Sequence, residues 1–248
     1  KISKENKDAI NRFIEGGGLF TVATGRMEKS VKRFFPELPL NVPAILYNGA
    51  AIYDFKKEKV LWQTTLPLDA IDPIIRVIEK FPGMGVQIYH GGNIYFARQN
   101  EYTTAHMERE KLRPIIAEPA EIPRPWRKVL FAWDPEKLKV VEESLTGCGN
   151  LFRYTYSEPF FLEILNRNTS KGNALKVLTE MLGISKSSVI AMGDNLNDIE
   201  MIEQASIGIA VENAHEALKV AADICCGHHD QNAVSQVIRW LENGRLVC

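Results

Sequence analysis

The sequence predicts an α/β protein in which a parallel-sheet domain is interrupted by an α+β insert. Three observations carry that prediction. Short apolar runs alternate with helical stripes near the start of the chain. Hairpin signals replace this alternation in the middle. The alternation then returns from Lys171 onward. A length of 248 residues suits one large or two modest domains. The expected boundaries are 1–66 with 168–248 for the core and 67–167 for the insert.

Ser3 reads as the N-cap of a first helix, with Ile10, Phe13 and Ile14 on one face and Gly16-Gly17-Gly18 as its stop. Leu19 to Ala23 is a short apolar run expected as a buried strand. A helix from about Met27 to Phe35 should stop at Pro36. Ala44 to Tyr47 is a further apolar strand, and Ile52 to Trp62 a strand pair turning at Lys56-Lys57-Glu58. In the insert, a helix over Asp69–Phe81 leads to strands Val86–Tyr89 and Ile94–Ala97 around Gly91-Gly92, which read as a hairpin. A helix over Glu101–Lys111, a strand over Lys128–Trp133, a helix over Pro135–Leu145 and strands over Leu151–Tyr156 and Phe160–Leu165 complete it. Beyond Lys171, Ala174, Leu175, Leu178 and Leu182 mark a helical stripe. Strands at 189–192, 207–211 and 223–225 then alternate with helices over 197–204, 214–221 and 233–242.

Hydrophobic residues make up 45% and charged residues 25%, an ordinary globular balance that excludes a disordered chain. Thirty Lys+Arg against thirty-one Asp+Glu leave a net charge of −1. Without a basic block, neither nucleic acid nor a membrane surface is an expected partner. The four cysteines do not form a disulfide framework, and reduced thiols fit a soluble protein of the cytoplasm, which is the expected compartment. Cys225-Cys226-Gly227-His228-His229-Asp230 lacks the C-x₂₋₄-C spacing of a structural zinc site. Tyr89, Tyr95, Phe96, Trp126, Phe131 and Trp133 are expected in the core of the insert. Glu163 either reaches the cleft or faces solvent.

The most informative stretch is Gly193-Asp194-Asn195-Leu196-Asn197-Asp198, where two carboxylates four residues apart follow a buried strand. In open α/β sheets, ligands bind beyond the carboxyl ends of strands. Hard oxygen donors there suit Mg²⁺, and Asp194 and Asp198 are the candidate metal ligands. Thr24-Gly25-Arg26 is a second strand-end turn, whose hydroxyl and backbone N–H groups offer a seat for phosphate. Asn48-Gly49-Ala50 is a third. Lys171 stands in the first turn of a helix, where a cation opposes the helix dipole, and a nearby anion would remove that conflict.

In this order the segments Ala23-Thr24-Gly25-Arg26, Asn48-Gly49-Ala50, Thr169-Ser170-Lys171-Gly172-Asn173-Ala174-Leu175 and Gly193-to-Asp198 resemble the haloacid dehalogenase superfamily, specifically Cof-type hydrolases with a type IIB α/β cap. The resemblance covers essentially the whole chain. It implies a Rossmannoid parallel-sheet core with the insert as cap, and a Mg²⁺-dependent phosphatase acting through an aspartyl-phosphate on a small phosphorylated metabolite, such as a sugar phosphate or phosphorylated cofactor. Thr24 and Lys171 would be catalytic, Gly25, Arg26, Asn48 and Asn197 substrate-binding, and Asp194 and Asp198 metal-binding. Oligomeric state is not legible.

The family's first motif, Asp-x-Asp-Gly-Thr, is not in the sequence, so no residue fills the roles of nucleophile and general acid. Asp8 falls inside the first helix and is no substitute. The expectation is that roughly fifteen to twenty residues precede Lys1 in the natural polypeptide, from typical strand and loop lengths. A phosphomutase of the same superfamily, or a non-catalytic phosphate-ligand binding protein, stands as the alternative.

Overall fold

The computed structural model describes residues 2–148 and 150–246. The chain divides into two compact units: Lys1–Arg26 with Val31–Trp62 and Ser170–Cys248, and Met27–Ser30 with Gln63–Thr169.

The first limb of unit 1 starts with α1 (Lys4–Glu15), whose N-terminus is capped by the Ser3 hydroxyl accepting from the Asn6 amide at 3.2 Å. A short α2 (Glu28–Lys32) is followed by a 3₁₀ turn over Phe35–Glu37. The helix therefore ends before Phe35, and Pro36 sits inside the tighter turn instead of marking its stop. Next come β1 (Ala44–Leu46), β2 (Ala51–Asp54) and β3 (Lys59–Gln63), in the order β1-β2-β3 with β1 antiparallel to β2. The expected strand at 19–23 is not a strand among the described residues. Its only ladder contact is an Ala23–Ile45 bridge, which is parallel. The Ile45 amide donates to the Val22 carbonyl and the Thr24 amide to the Ile45 carbonyl, so this segment is held along one edge only.

Unit 2 contains α3 (Ile71–Lys80), β4 (Gly85–His90), β5 (Asn93–Arg98), α4 (Glu101–Glu110), β6 (Ile115–Ile116), β7 (Lys128–Ala132), α5 (Pro135–Leu145), β8 (Phe152–Glu158) and β9 (Phe161–Asn166). These strands form one sheet in the order β6-β5-β4-β7-β9-β8. Alternation along the strands puts Val86, Ile88, Val129, Phe131, Leu162 and Ile164 on one face, packed with Ile74 and Ile78 of α3 and Leu138 and Val141 of α5. Trp126 is fully buried beside them, while Tyr95 and Trp133 pack against the cluster partly exposed. Glu163 does not face solvent. It is buried and pairs with the equally buried Lys128 at 2.9 Å, and that ammonium also stands 4.6 Å from the Tyr89 ring centroid.

The second limb of unit 1 runs α6 (Lys171–Leu182), β10 (Ile190–Gly193), α7 (Ile199–Gln204), β11 (Ile207–Ala210), α8 (Glu216–Ala221), β12 (Ile224–Cys225) and α9 (Ala233–Glu242). Here β10, β11 and β12 are parallel neighbours in that order. Ile202, Ile209, Ala210 and Leu218 form the centre of the cluster that holds α7 and α8 on this sheet. Ile45, Ile52, Ala174 and Leu178 pack α6 on β1 and β2. Ile10 and Ile238 join α1 to α9. Strand ends and helix starts of unit 1 are thereby fixed relative to one another, and the candidate residues sit on them.

Candidate active site

The Thr24–Arg26 turn is closed by its own side chain: the Arg26 amide donates to Thr24 Oγ1 at 3.2 Å. The Arg26 guanidinium lies 5.3 Å from the centroid of the Phe34 ring. The turn after β1 is more constrained. Tyr47, Asn48 and Gly49 have φ of 54°, 57° and 97°, a left-handed run that is costly for the tyrosine. Gly49 is required by contact as well as by its φ, because a Cβ there would overlap the Ser170 carbonyl oxygen.

Ser170 caps α6 by accepting from the Asn173 amide at 3.0 Å, which places Lys171 at the first helical position. Lys171 is 6% exposed, and its amine donates to Asp198 Oδ1 at 2.5 Å. Here is the anion that a cation at a helix N-terminus requires. The second oxygen of Asp198 accepts from the amides of Asp194 at 3.0 Å and Asn195 at 3.2 Å. The strand-end residue Gly193 has to be small, since a Cβ there would meet the Asp198 Cβ at 2.5 Å. Asn197 reaches back across the sheet edge and donates from Nδ2 to Asn48 Oδ1 at 3.0 Å.

The two candidate metal carboxylates thus differ. Asp198 is buried with both oxygens engaged, whereas Asp194 is exposed at the loop's rim. Asp194 holds its proton more tightly than an ordinary aspartate. Partial desolvation by the surrounding protein is the main cause, followed by the negative Asp198 beside it; Lys171 and His229 oppose the shift. A carboxylate made uncomfortable by desolvation and a like charge fits a divalent cation, which would relieve both. The donor set, oxygen only, suits Mg²⁺ better than a softer metal.

All eight predicted residues lie on unit 1. Lys171, Asp194, Asn197 and Asp198 are joined to one another or to Asn48 by hydrogen bonds. Thr24 is joined through its carbonyl, which accepts from the Asn48 amide at 3.0 Å. Asn48 itself is only 2% exposed and stands behind the other groups. Sequence reasoning missed Ser170 and Tyr47, which build the site with backbone and packing. The Asn-Gly pair was the only local sign of a left-handed turn. Elsewhere, His228, His229 and Asp230 bring ligand atoms within 4.8 Å of one another. His228 Nδ1 already accepts from the Asp230 amide at 3.2 Å, so in the neutral ring Nε2 carries the proton and offers no lone pair.

Fold and strand-end turns together define a protein of the Rossmannoid α/β type with an inserted α+β unit. A family model described as haloacid dehalogenase-like hydrolase matches residues 1–238. Among relatives, pyridoxal phosphate phosphatase YbhA of Escherichia coli (strain K12) is 26% identical, over 93% of this chain and 89% of its own. The 5-amino-6-(5-phospho-D-ribitylamino)uracil phosphatase YwtE of Bacillus subtilis (strain 168) is 28% identical, over 98% of this chain and 93% of its own. A crystal structure of a haloacid dehalogenase-like hydrolase from Bacteroides thetaiotaomicron aligns with a TM-score of 0.84 at 28% identity, covering 97% of this chain and 93% of that one. The chain belongs to the haloacid dehalogenase-like hydrolase family, in its Cof-type branch, and its enzyme class is that of the phosphoric monoester hydrolases.

Proposed function

We propose that the protein is a Mg²⁺-dependent phosphatase of small phosphorylated metabolites, acting through an aspartyl-phosphate. The observation that supports this best is one open carboxylate, Asp194, beside the buried ion pair that Asp198 of the same loop makes with Lys171 at the start of α6. In this reading Asp194 is the direct metal ligand, and Asp198 acts on the metal through the loop it braces. When bound, Mg²⁺ would neutralise charge on the phosphoryl oxygens.

The remaining roles belong to groups of this chain. Thr24 Oγ1 and the Gly25 backbone face one side of the phosphoryl group as hydrogen-bonding partners, in a turn that the Arg26 amide closes. Lys171 supplies a fixed positive charge that its partner Asp198 orients. Asn197 supplies a further amide donor. The nucleophile and general acid are assigned to no residue of this sequence, so the roles that fall to its residues are binding and electrostatic ones.

Residues 67–167 are proposed as the cap that selects the leaving group, within a cytoplasmic protein. Among the described residues no helix is long and apolar enough to cross a membrane. Relatives named for pyridoxal phosphate and for a phosphoribitylamino-uracil make phosphorylated cofactors and their precursors the first substrates to try, with sugar phosphates next.

The test is phosphate release by the full natural polypeptide from p-nitrophenyl phosphate and from a panel of such metabolites. Release should require Mg²⁺, stop with EDTA and fall at least a hundredfold in Asp194→Ala, a size typical of losing a main electrostatic element. Release that persists in EDTA and in Asp194→Ala would overturn the reading. Accumulated bisphosphate with no free phosphate would point to a phosphomutase.

A further inference from the structure

The turn at Tyr47–Gly49 touches each of the other three turns of the site. Its backbone amides reach the first: Tyr47 N–H donates to the Arg26 carbonyl at 3.1 Å and Asn48 N–H to the Thr24 carbonyl at 3.0 Å. Its glycine lies against the second, with the Ser170 carbonyl and the Lys171 nitrogen both inside contact distance of where a Cβ would be. Its side-chain amide reaches the third, since Asn48 Oδ1 accepts from Asn197 Nδ2 at 3.0 Å across 149 positions of sequence. The same carboxamide closes on Gly25, where a Cβ would stand 3.0 Å from Oδ1.

Asn48 is nevertheless 2% exposed, while Asn197 is only half-buried. A group so enclosed does not meet a ligand directly and acts through whatever it holds. Tyr47 and Asn48 also occupy left-handed backbone, a conformation that persists only where the surroundings over-determine it. Strain of that kind next to a ligand-handling loop is a common sign of a position held for geometry instead of stability.

We propose that Asn48 is a positioning residue, which holds the Asn197 amide at the angle at which it donates to the phosphoryl group and locks the acidic loop to the Thr24–Arg26 turn. This rests on the phosphatase reading above, and it moves Asn48 from binding substrate to orienting a residue that does. The carboxamide is suited to the task. Its oxygen receives the Asn197 amide, and asparagine tolerates left-handed φ better than most side chains.

The experiment compares Asn48→Gly, Asn48→Asp, Asn197→Ala and the double variant Asn48→Gly/Asn197→Ala in the full polypeptide. Glycine removes the amide without backbone strain, and aspartate keeps an oxygen acceptor at the same place. Asn48→Gly should lower kcat about ten- to hundredfold on p-nitrophenyl phosphate, weaken inhibition by inorganic phosphate to a similar degree, and leave the melting temperature within a few degrees. Asn48→Asp should recover most of the loss. The double variant should be no worse than Asn197→Ala alone, because the two act as one unit. Losses that multiply in the double variant, or a loss in Asn48→Gly seen only as thermal instability, would overturn the proposal. The side-chain amide signals of Asn197 in NMR separate it from the functional reading. If no phosphomonoester is hydrolysed but these signals shift in Asn48→Gly and are restored in Asn48→Asp, the contact stands and the phosphatase assignment falls. If they do not respond, the positioning role itself is gone.

Discussion

The Lys171 amine lies 2.5 Å from Oδ1 of Asp198, with side chains 8% and 4% exposed. These residues are 27 positions apart and meet because α6 and the loop after β10 converge at one sheet edge. A pair this enclosed is weak evidence for stability, since desolvation offsets most of the attraction. Removing one partner is a different matter. Asp198→Asn strands a buried ammonium and should cost about 3–5 kcal/mol in urea unfolding. Lys171→Met with Asp198→Leu should recover part of that stability while leaving no phosphatase activity. A double variant as active as the natural protein would remove the pair from the mechanism.

Gly49 makes a steric prediction. Its φ of 97° and the close approach of the Ser170 carbonyl leave no room for a methyl group. Gly49→Ala should therefore destabilise by about 3 kcal/mol or more, from left-handed strain plus displacement of the α6 N-terminus. Gly147→Ala is the control: nothing lies within 4 Å of its ideal Cβ, and it should stay within about 0.5 kcal/mol. Equal melting temperatures for the two variants would contradict this packing.

Metal binding should appear as stability before it appears as turnover. Asp194 is disfavoured as an anion by desolvation and by Asp198, and a divalent cation reverses both effects. At a Mg²⁺ concentration a hundredfold above its Kd, the folded state should gain about 2.7 kcal/mol, readable as a rise in melting temperature. Asp194→Asn should lose that rise while melting normally without metal. The same rise in the variant would move the site elsewhere.

In unit 2, Tyr156 predicts the alkaline limit. Its hydroxyl donates to Glu142 Oε2 at 2.8 Å, and its pKa is raised, first by burial, then by that bond and by the glutamate's charge. The folded state therefore binds this proton more tightly than the unfolded chain, whose tyrosines titrate near 10. The resulting stability is fully present below about pH 10 and is lost progressively as pH rises further. Tyr156→Phe should flatten this arm of the stability curve between about pH 10 and 12, followed by circular dichroism. An unchanged slope would assign the alkaline loss to other groups.

Much of this architecture was legible without coordinates, because its signals are local. Ser3 marks a helix start by a side-chain oxygen that accepts from the amide three residues on, and such a bond depends on nothing distant. The 171–182 and 233–242 helices follow from spacing, and the Val86–Ala97 hairpin from its glycine pair. Even the candidate residues were legible, since Gly-Asp-x-x-Asn-Asp announces itself within six positions. Local signals failed where a neighbour distant in sequence decides the outcome. Leu19–Ala23 has the composition of a strand but a partner along only one edge. Pro36 has the look of a helix stop, yet the helix ends earlier, at Lys32.

Motif spacing determined which groups of this protein are the candidates for phosphate and metal. Only the tertiary structure divided the work among them, leaving Asp194 open, tying Asp198 to Lys171 and burying Asn48 behind Asn197. The reason is physical: periodicity and capping act over one or two turns of chain, whereas burial and pairing depend on what packing brings together, from 27 residues away for Lys171 and Asp198 and from 149 for Asn48 and Asn197.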